Sequence, residues 1–209
     1  MFGLFKNKKK ELANEIFGAF KPKIHLAKKI GKWEKTLTFG DVLINDNYLL
    51  GFFNTYLGIV SKKFGYSGQD VGLILMDVYK LLDGTYSDLN KFQKVIQNYQ
   101  LSKSSGSKDL MLGEDHALMF FLVFTSDNAA HKFSKDPIYK EANKYFESGE
   151  FKKQSDWAKK VLPKEFSDGN TLSDAPSNII VAYRIFEQTF EKRLNKVFKI
   201  WSLNDRWNI

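Results

Sequence analysis

The C-terminal part of this 209-residue chain carries the strictest pattern in the sequence. Large apolar residues recur there at intervals of three or four positions: Ile179, Tyr183, Phe186, Phe190, Leu194, Val197 and Trp201. Such intervals place all of these side chains on one side of an α-helix. The pattern predicts a helix over residues 178–202 that packs this side against neighbouring helices. The alternative is self-association, in which the 179–201 seam joins two copies of the chain.

Helical spacing of apolar residues extends over most of the remaining sequence. It predicts a helix over residues 10–20 that Pro22 ends, and a second helix over residues 24–37. Alternating apolar residues near Ile24 also leave open one short strand pair near residues 24–39. We therefore predict an all-α, single-domain bundle of seven to nine helices.

Three further segments have distinct patterns. A helix is predicted to begin at Asp46 or Asn47 and to end near Gly65, because Asp and Asn cap helix starts and glycine ends helices. Residues 102–108, Ser-Lys-Ser-Ser-Gly-Ser-Lys, are predicted to form a flexible loop. Residues 112–124 are apolar on all sides, which predicts a helix buried in the middle of the bundle.

Charge is distributed very unevenly along the chain. The first 35 residues contain ten lysines and three glutamates, so they contribute +7 of the net charge of +8. Residues 1–35 therefore form a basic N-terminal arm, and residues 36–209 form a nearly neutral helical domain, predicted to be one unit with the arm. A basic segment beside a neutral body indicates an anionic partner.

The extreme N-terminus combines large apolar side chains with lysines, as interfacial membrane anchors do. The predicted contact residues are Phe2, Leu4, Phe5, Lys6, Lys8, Lys9 and Lys10. The expected partner is an anionic membrane surface or an acidic protein. Sequence-nonspecific binding of nucleic acid through the same lysines is the alternative. It is less favoured because arginine, which reads bases and phosphates bidentately, occurs only three times in the chain.

A second alternative is a metal-dependent enzyme. Glu114, Asp115 and His116 lie at the start of the apolar segment, and Asp127 and His131 follow it at helical spacing. Carboxylate and imidazole groups that converge in space bind divalent metals. Acids near a helix start also stabilise the helix, without any catalytic role. The sequence contains no recognisable catalytic or cofactor motif, and we predict no cofactor.

Composition narrows the remaining classes of protein. The chain has no cysteine, which excludes disulfides and thiolate chemistry. Its longest apolar run, residues 117–124, is much shorter than the roughly 20 residues of a membrane-spanning helix. The sequence therefore predicts a cytoplasmic protein, peripheral to the membrane if the N-terminus is an anchor. The leading function is a non-enzymatic binding or adaptor protein.

Overall fold

The computed structural model describes residues 2–30, 39–83, 89–126, 129–153 and 176–204. In these ranges the chain is helical and has no strand, which confirms the predicted all-α class. The ranges contain ten α-helices, one more than the largest number predicted, and one π-turn. In chain order they are α1 (Phe2–Ile30), α2 (Phe39–Asn45), α3 (Asn47–Lys63), α4 (Gln69–Asp83), α5 (Leu89–Ser104), α6 (Lys108–Thr125), α7 (Ala129–Phe133), α8 (Pro137–Glu147), α9 (Ser177–Phe186), the π-turn (Glu187–Glu191) and α10 (Lys192–Asn204).

Helix α1 does not end at Pro22 as predicted, because it continues to Ile30. An interior proline costs a helix about 3 kcal/mol. Apolar residues are buried on both sides of Pro22, however, and together they outweigh this cost: Leu12, Ala13, Ile16, Phe20, Ile24 and Ala27. The alternation near Ile24 therefore belongs to a helix. Residues 31–38 of the strand-pair alternative lie outside the described residues.

The chain divides into two compact units. Unit 1 combines Met1–Leu118 with Phe190–Ile209, and unit 2 is Met119–Thr189. In unit 1, α1 packs against α4 and α10, and α3 packs against α2, α4, α5 and α10. In unit 2, α8 packs against α9. Unit 1 is thus assembled from two stretches that are separated in sequence by the whole of unit 2.

Aromatic rings fill the core of unit 1. The ring of Phe20 lies 5.0 Å from that of Phe53 and 5.1 Å from that of Phe190, both in edge-to-face contact. Phe39 and Tyr79 contact Phe53 in the same way. These contacts add about 0.5–1.5 kcal/mol per pair to the free energy gained by burial. Because Phe20 belongs to α1, the lysine-rich N-terminal helix is part of the core of this unit.

The core of unit 2 is smaller and more aliphatic. Its buried cluster consists of Met119, Val123, Ala129, Ala142, Val181, Ala182 and Ile185. Ala142 on α8 and Ala182 on α9 have no exposed surface. Small side chains at these positions let the two helices approach closely. Beside them, the guanidinium of Arg184 lies 4.6 Å from the centre of the Tyr145 ring.

Two predictions about the middle of the chain are wrong. Residues 112–124 are not buried on all sides, because Leu112 and Phe124 are nearly half exposed. Residues 102–108 are not a loop, because α5 continues to Ser104 and a turn at Gly106 follows. Gly106 has φ +68°, and the Ser107 N–H donates to the Ser102 carbonyl at 2.9 Å, which is a Schellman ending.

The middle of the C-terminal seam packs inside its own chain, and its first two residues, Ile179 and Tyr183, are half-buried. Phe186, Phe190, Leu194 and Val197 are buried, so they offer no surface to a second copy; the side chain of Trp201 lies outside the described residues. The predicted single helix is also interrupted by the π-turn. There the hydroxyl of Thr189 donates to the Ile185 carbonyl at 2.6 Å. A side-chain donor of this kind compensates for the backbone partner that a π-turn displaces.

Candidate functional site

The N-terminal lysines that the structure describes lie on α1, in unit 1. Lys8 and Lys10 are exposed. Lys9, between them, is half-buried and forms an ion pair with Asp70 at the start of α4. Its ammonium group also lies 6.0 Å from the centre of the Tyr66 ring. Lys9 therefore connects the start of α1 to the segment that joins α3 and α4.

The apolar part of the predicted anchor is not tested. The side chains of Phe2, Leu4, Phe5 and Lys6 lie outside the described side chains, although their backbone forms the first turns of α1. An N-terminus in helical form places residues three or four apart on the same side. The hypothesis that these side chains enter a membrane stays a prediction.

A second basic segment lies next to Lys9 and was missed in the sequence. Helix α3 ends with the exposed residues Lys62 and Lys63, and Phe64 follows with 59% of its surface exposed. The turn after it is fixed by Gly65, which has φ +83°, and by a 3.0 Å bond from the Tyr66 N–H to the Ser61 carbonyl. The adjacent residues Lys-Lys-Phe-Gly were a signal for this feature, but only the fold brings them to α1.

Lys9 contacts Tyr66, three residues after Lys63, so the lysines of α1 and those that end α3 lie in the same region of unit 1. We name this region the basic corner and define it as Lys8, Lys9, Lys10, Lys62, Lys63 and Phe64. The same segments include the acids Asp70, which pairs with Lys9, and Glu11, which is exposed on α1, and Lys63 has an interaction of its own within the protein. Within residues 8–11, 62–64 and 70, lysines outnumber acids by five to two. A local excess of one sign attracts anions over roughly one Debye length, about 8–10 Å at physiological salt.

The predicted acid and histidine residues have partners of other kinds. Glu114 accepts a hydrogen bond from the Tyr99 hydroxyl at 2.5 Å and another from the Lys103 ammonium at 2.9 Å. Burial, followed by this bond to Glu114, raises the pKa of Tyr99. The same carboxylate raises the pKa of Lys103. Glu114 thus holds α5 against the start of α6.

His116 is buried two residues further along α6. Its Nδ1 and the hydroxyl of Tyr48 lie 2.7 Å apart and share a hydrogen bond. Asp115 is exposed on α6, and His131 is exposed on α7 in unit 2. In the described part of the chain, no three acid or histidine side chains are grouped as a metal site requires. Asp127 lies outside the described residues, so the metal hypothesis stays a prediction.

Arg193 in unit 1 pairs with two aspartates. Its Nε donates to Asp46 at 2.7 Å and its Nη2 donates to Asp109 at 3.2 Å. Burial lowers the pKa of Arg193, but the bonds and charges of these two aspartates outweigh burial and raise it overall. The guanidinium also lies 5.7 Å from the centre of the Tyr48 ring. With both partners inside the unit, Arg193 has a structural role.

No protein-family model, curated protein or solved structure matches this chain. Among the described residues, no helix combines the length and the apolar character needed to cross a membrane.

Proposed function

We propose that this chain is a non-enzymatic, cytoplasmic binding protein that contacts an anionic partner through the basic corner. The observation that carries the proposal is the contact of Lys9 with Asp70 and Tyr66. This contact brings Lys9 of α1 to the residues that follow Lys62 and Lys63, which supports treating the two basic segments as one binding surface.

The charge of the rest of the chain supports this assignment. Residues 36–209 contain 22 basic and 21 acidic side chains, so the net positive charge comes mainly from residues 1–35, which include Lys8, Lys9 and Lys10 of the basic corner. A concentrated positive field accelerates encounter with anionic surfaces and makes binding depend on salt. The charges of Arg193 and Lys103, like that of Lys9, are partly offset by adjacent carboxylates.

The experiment reverses the charge of three exposed lysines of the basic corner, in the variant Lys8→Glu/Lys10→Glu/Lys62→Glu. Binding is measured to phosphatidylcholine vesicles with and without phosphatidylserine, and to duplex DNA as a second polyanion. We expect the unmodified protein to bind at least one anionic probe and to bind it more weakly as salt is added. Since each lysine contributes about 1 kcal/mol near an anionic lipid surface, the variant should lose about a hundredfold in affinity or more.

The matched control is Lys132→Glu/Lys135→Glu/Lys140→Glu, which removes the same charge from three exposed lysines of unit 2. It should bind nearly as well as the unmodified protein. An equal loss in both variants would show that net charge alone drives binding and would overturn the proposal. So would an unmodified protein that binds neither anionic vesicles nor DNA at low salt.

A further inference from the structure

Phe64 distinguishes the basic corner from a purely charged surface. It is 59% exposed, whereas Phe39, Phe52 and Phe53 of the same unit are fully buried. Single exposed apolar residues are common on protein surfaces. Phe64, however, directly follows two lysines, and the Schellman turn at Gly65 fixes its backbone at the end of α3.

A second exposed apolar side chain lies on the adjoining helix. Leu73 on α4 is 46% exposed and follows Asp70, the partner of Lys9, by three residues. Residues three apart on a helix are surface neighbours. The basic corner therefore combines lysines with the exposed ring of Phe64, and Leu73 lies beside Asp70, the partner of Lys9.

We infer that the basic corner binds the surface of an anionic lipid bilayer, with Phe64 entering the boundary between headgroups and acyl chains. This inference rests on the proposed function and names its partner. Apolar side chains supply partitioning into that boundary, and lysines supply attraction to anionic headgroups. The surface contains both kinds of group within one turn of chain, at Lys62, Lys63 and Phe64.

The chemistry of the corner favours lipid over nucleic acid. All of its cations are lysines, which act as point charges, and it contains no arginine to form bidentate bonds with phosphates or bases. A lysine surface that bound only the phosphate backbone would gain little from an exposed aromatic ring beside it. A bilayer uses both the charge and the ring.

The first test replaces Phe64 and leaves every lysine in place. Phe64→Ser should weaken binding to phosphatidylserine-containing vesicles about tenfold, because the apolar contribution to partitioning is lost. Its binding to duplex DNA should not change. The matched control is Leu101→Ser, which removes a side chain that is 67% exposed on α5. Leu101 precedes Ser102, which bonds to Asn47 at the opposite end of α3, so it lies far from the corner.

The second test uses the absence of native cysteine. Phe64→Cys and, as a control, Leu101→Cys are each labelled with a fluorophore whose emission depends on polarity. On addition of phosphatidylserine-containing vesicles, the label at position 64 should shift to shorter wavelength and the label at position 101 should not. A shift at position 64 with vesicles supports insertion directly.

The outcomes separate this inference from the proposed function. If the lysine variant loses vesicle binding but Phe64→Ser binds normally and the label at position 64 does not shift, the basic corner still binds anions and the insertion of Phe64 is wrong. If the protein binds duplex DNA but not anionic vesicles, the lipid partner is wrong and the proposed function stands. If no anionic probe binds, both fail.

Discussion

The two ends of α3 use polar residues in opposite ways. At its start, Asp46 is buried, accepts the Leu49 N–H at 2.9 Å and pairs with Arg193 at 2.7 Å. At its other end, Lys62 and Phe64 are exposed to solvent. The first end is fixed by partners from distant parts of the chain, and the second presents its side chains outward. A charged residue in this fold therefore supports structure where it is buried among partners, as Asp46 is, and presents a surface where it is exposed, as Lys62 is.

The largest expected effect on stability concerns the close packing at the start of α3. Added methyl groups in Gly51→Ala or Gly113→Ala would lie inside contact distance of the backbone: Gly51 faces the Leu110 carbonyl and Gly113 faces the Tyr48 carbonyl. Backbone atoms cannot move aside cheaply, so each substitution should destabilise the protein by about 3 kcal/mol or more in urea denaturation.

Gly58 provides the control within the same helix. A Cβ at this position meets nothing within 4 Å. Gly58→Ala should therefore be neutral or stabilise the protein by up to about 1 kcal/mol, because alanine favours helix. Similar unfolding free energies for Gly51→Ala and Gly58→Ala would contradict the close approach of the Leu110 backbone to Gly51.

The second effect concerns Arg193. Arg193→Met leaves the buried carboxylate of Asp46 without its guanidinium and should destabilise the protein by about 2 kcal/mol. Lys196→Met, on the exposed side of the same helix, should change stability by less than about 0.5 kcal/mol. Thermal unfolding of both variants decides the matter, and equal melting temperatures would contradict the structural role of Arg193.

A smaller effect should appear at alkaline pH. The pKa values of Tyr99 and Lys103 are raised in the folded state, so the fold holds their protons more tightly than the unfolded chain does. Stability is then complete below the unfolded values, near 10, and falls as pH rises through the folded values. Tyr99→Phe should make this fall shallower, by less than about 1 kcal/mol because solvent screens the cluster. Urea denaturation at a series of alkaline pH values measures it. An unchanged slope would count against the Tyr99–Glu114 bond.

The smallest effect belongs to the exposed end. Phe64→Ser and Lys62→Glu should each change the unfolding free energy by less than about 0.5 kcal/mol, because neither side chain is buried. Calorimetry of the two variants tests this directly. A loss of several kcal/mol would mean that the basic corner contributes to the core. The two ends of α3 would then not differ in the way described above.

Local chemistry explains which parts of the fold the sequence predicted correctly. The start of α3 at Asp46–Asn47 and its end near Gly65 are confirmed, since a carboxylate cap and a left-handed glycine act on their own neighbours. The predicted helix end at Pro22 was wrong because packing against distant residues decides whether α1 continues. The rule that proline ends a helix takes account only of the local sequence. The prediction that residues 112–124 are buried on all sides was wrong for a related reason. Composition alone does not say which side of a helix packs against a neighbour.

The candidate site residues also show the difference between what the local sequence predicts and what distant packing decides. Glu114 and His116 looked like members of one cluster because they are close in sequence. Residues two apart on a helix point to different sides, however, and these two bond to Tyr99 and Tyr48 respectively. The lysines at the end of α3 were visible in the sequence, but their place beside Lys9 depends on the packing of α1 against α4.

Unit 1 is built from two stretches of sequence, and this discontinuity affects how the protein folds during synthesis. Phe190, Leu194 and Phe198 complete a core whose other members come from residues before 119. During synthesis on the ribosome this core stays incomplete until the residues of α10 have emerged, after all of unit 2. Contacts as distant as Arg193 with Asp46, 147 residues apart, slow folding because a long loop must close before they form. Until then Phe20, Phe39 and Phe52 lack the ring of Phe190 that packs on them in the folded protein, and this interval is when the chain is most prone to aggregation.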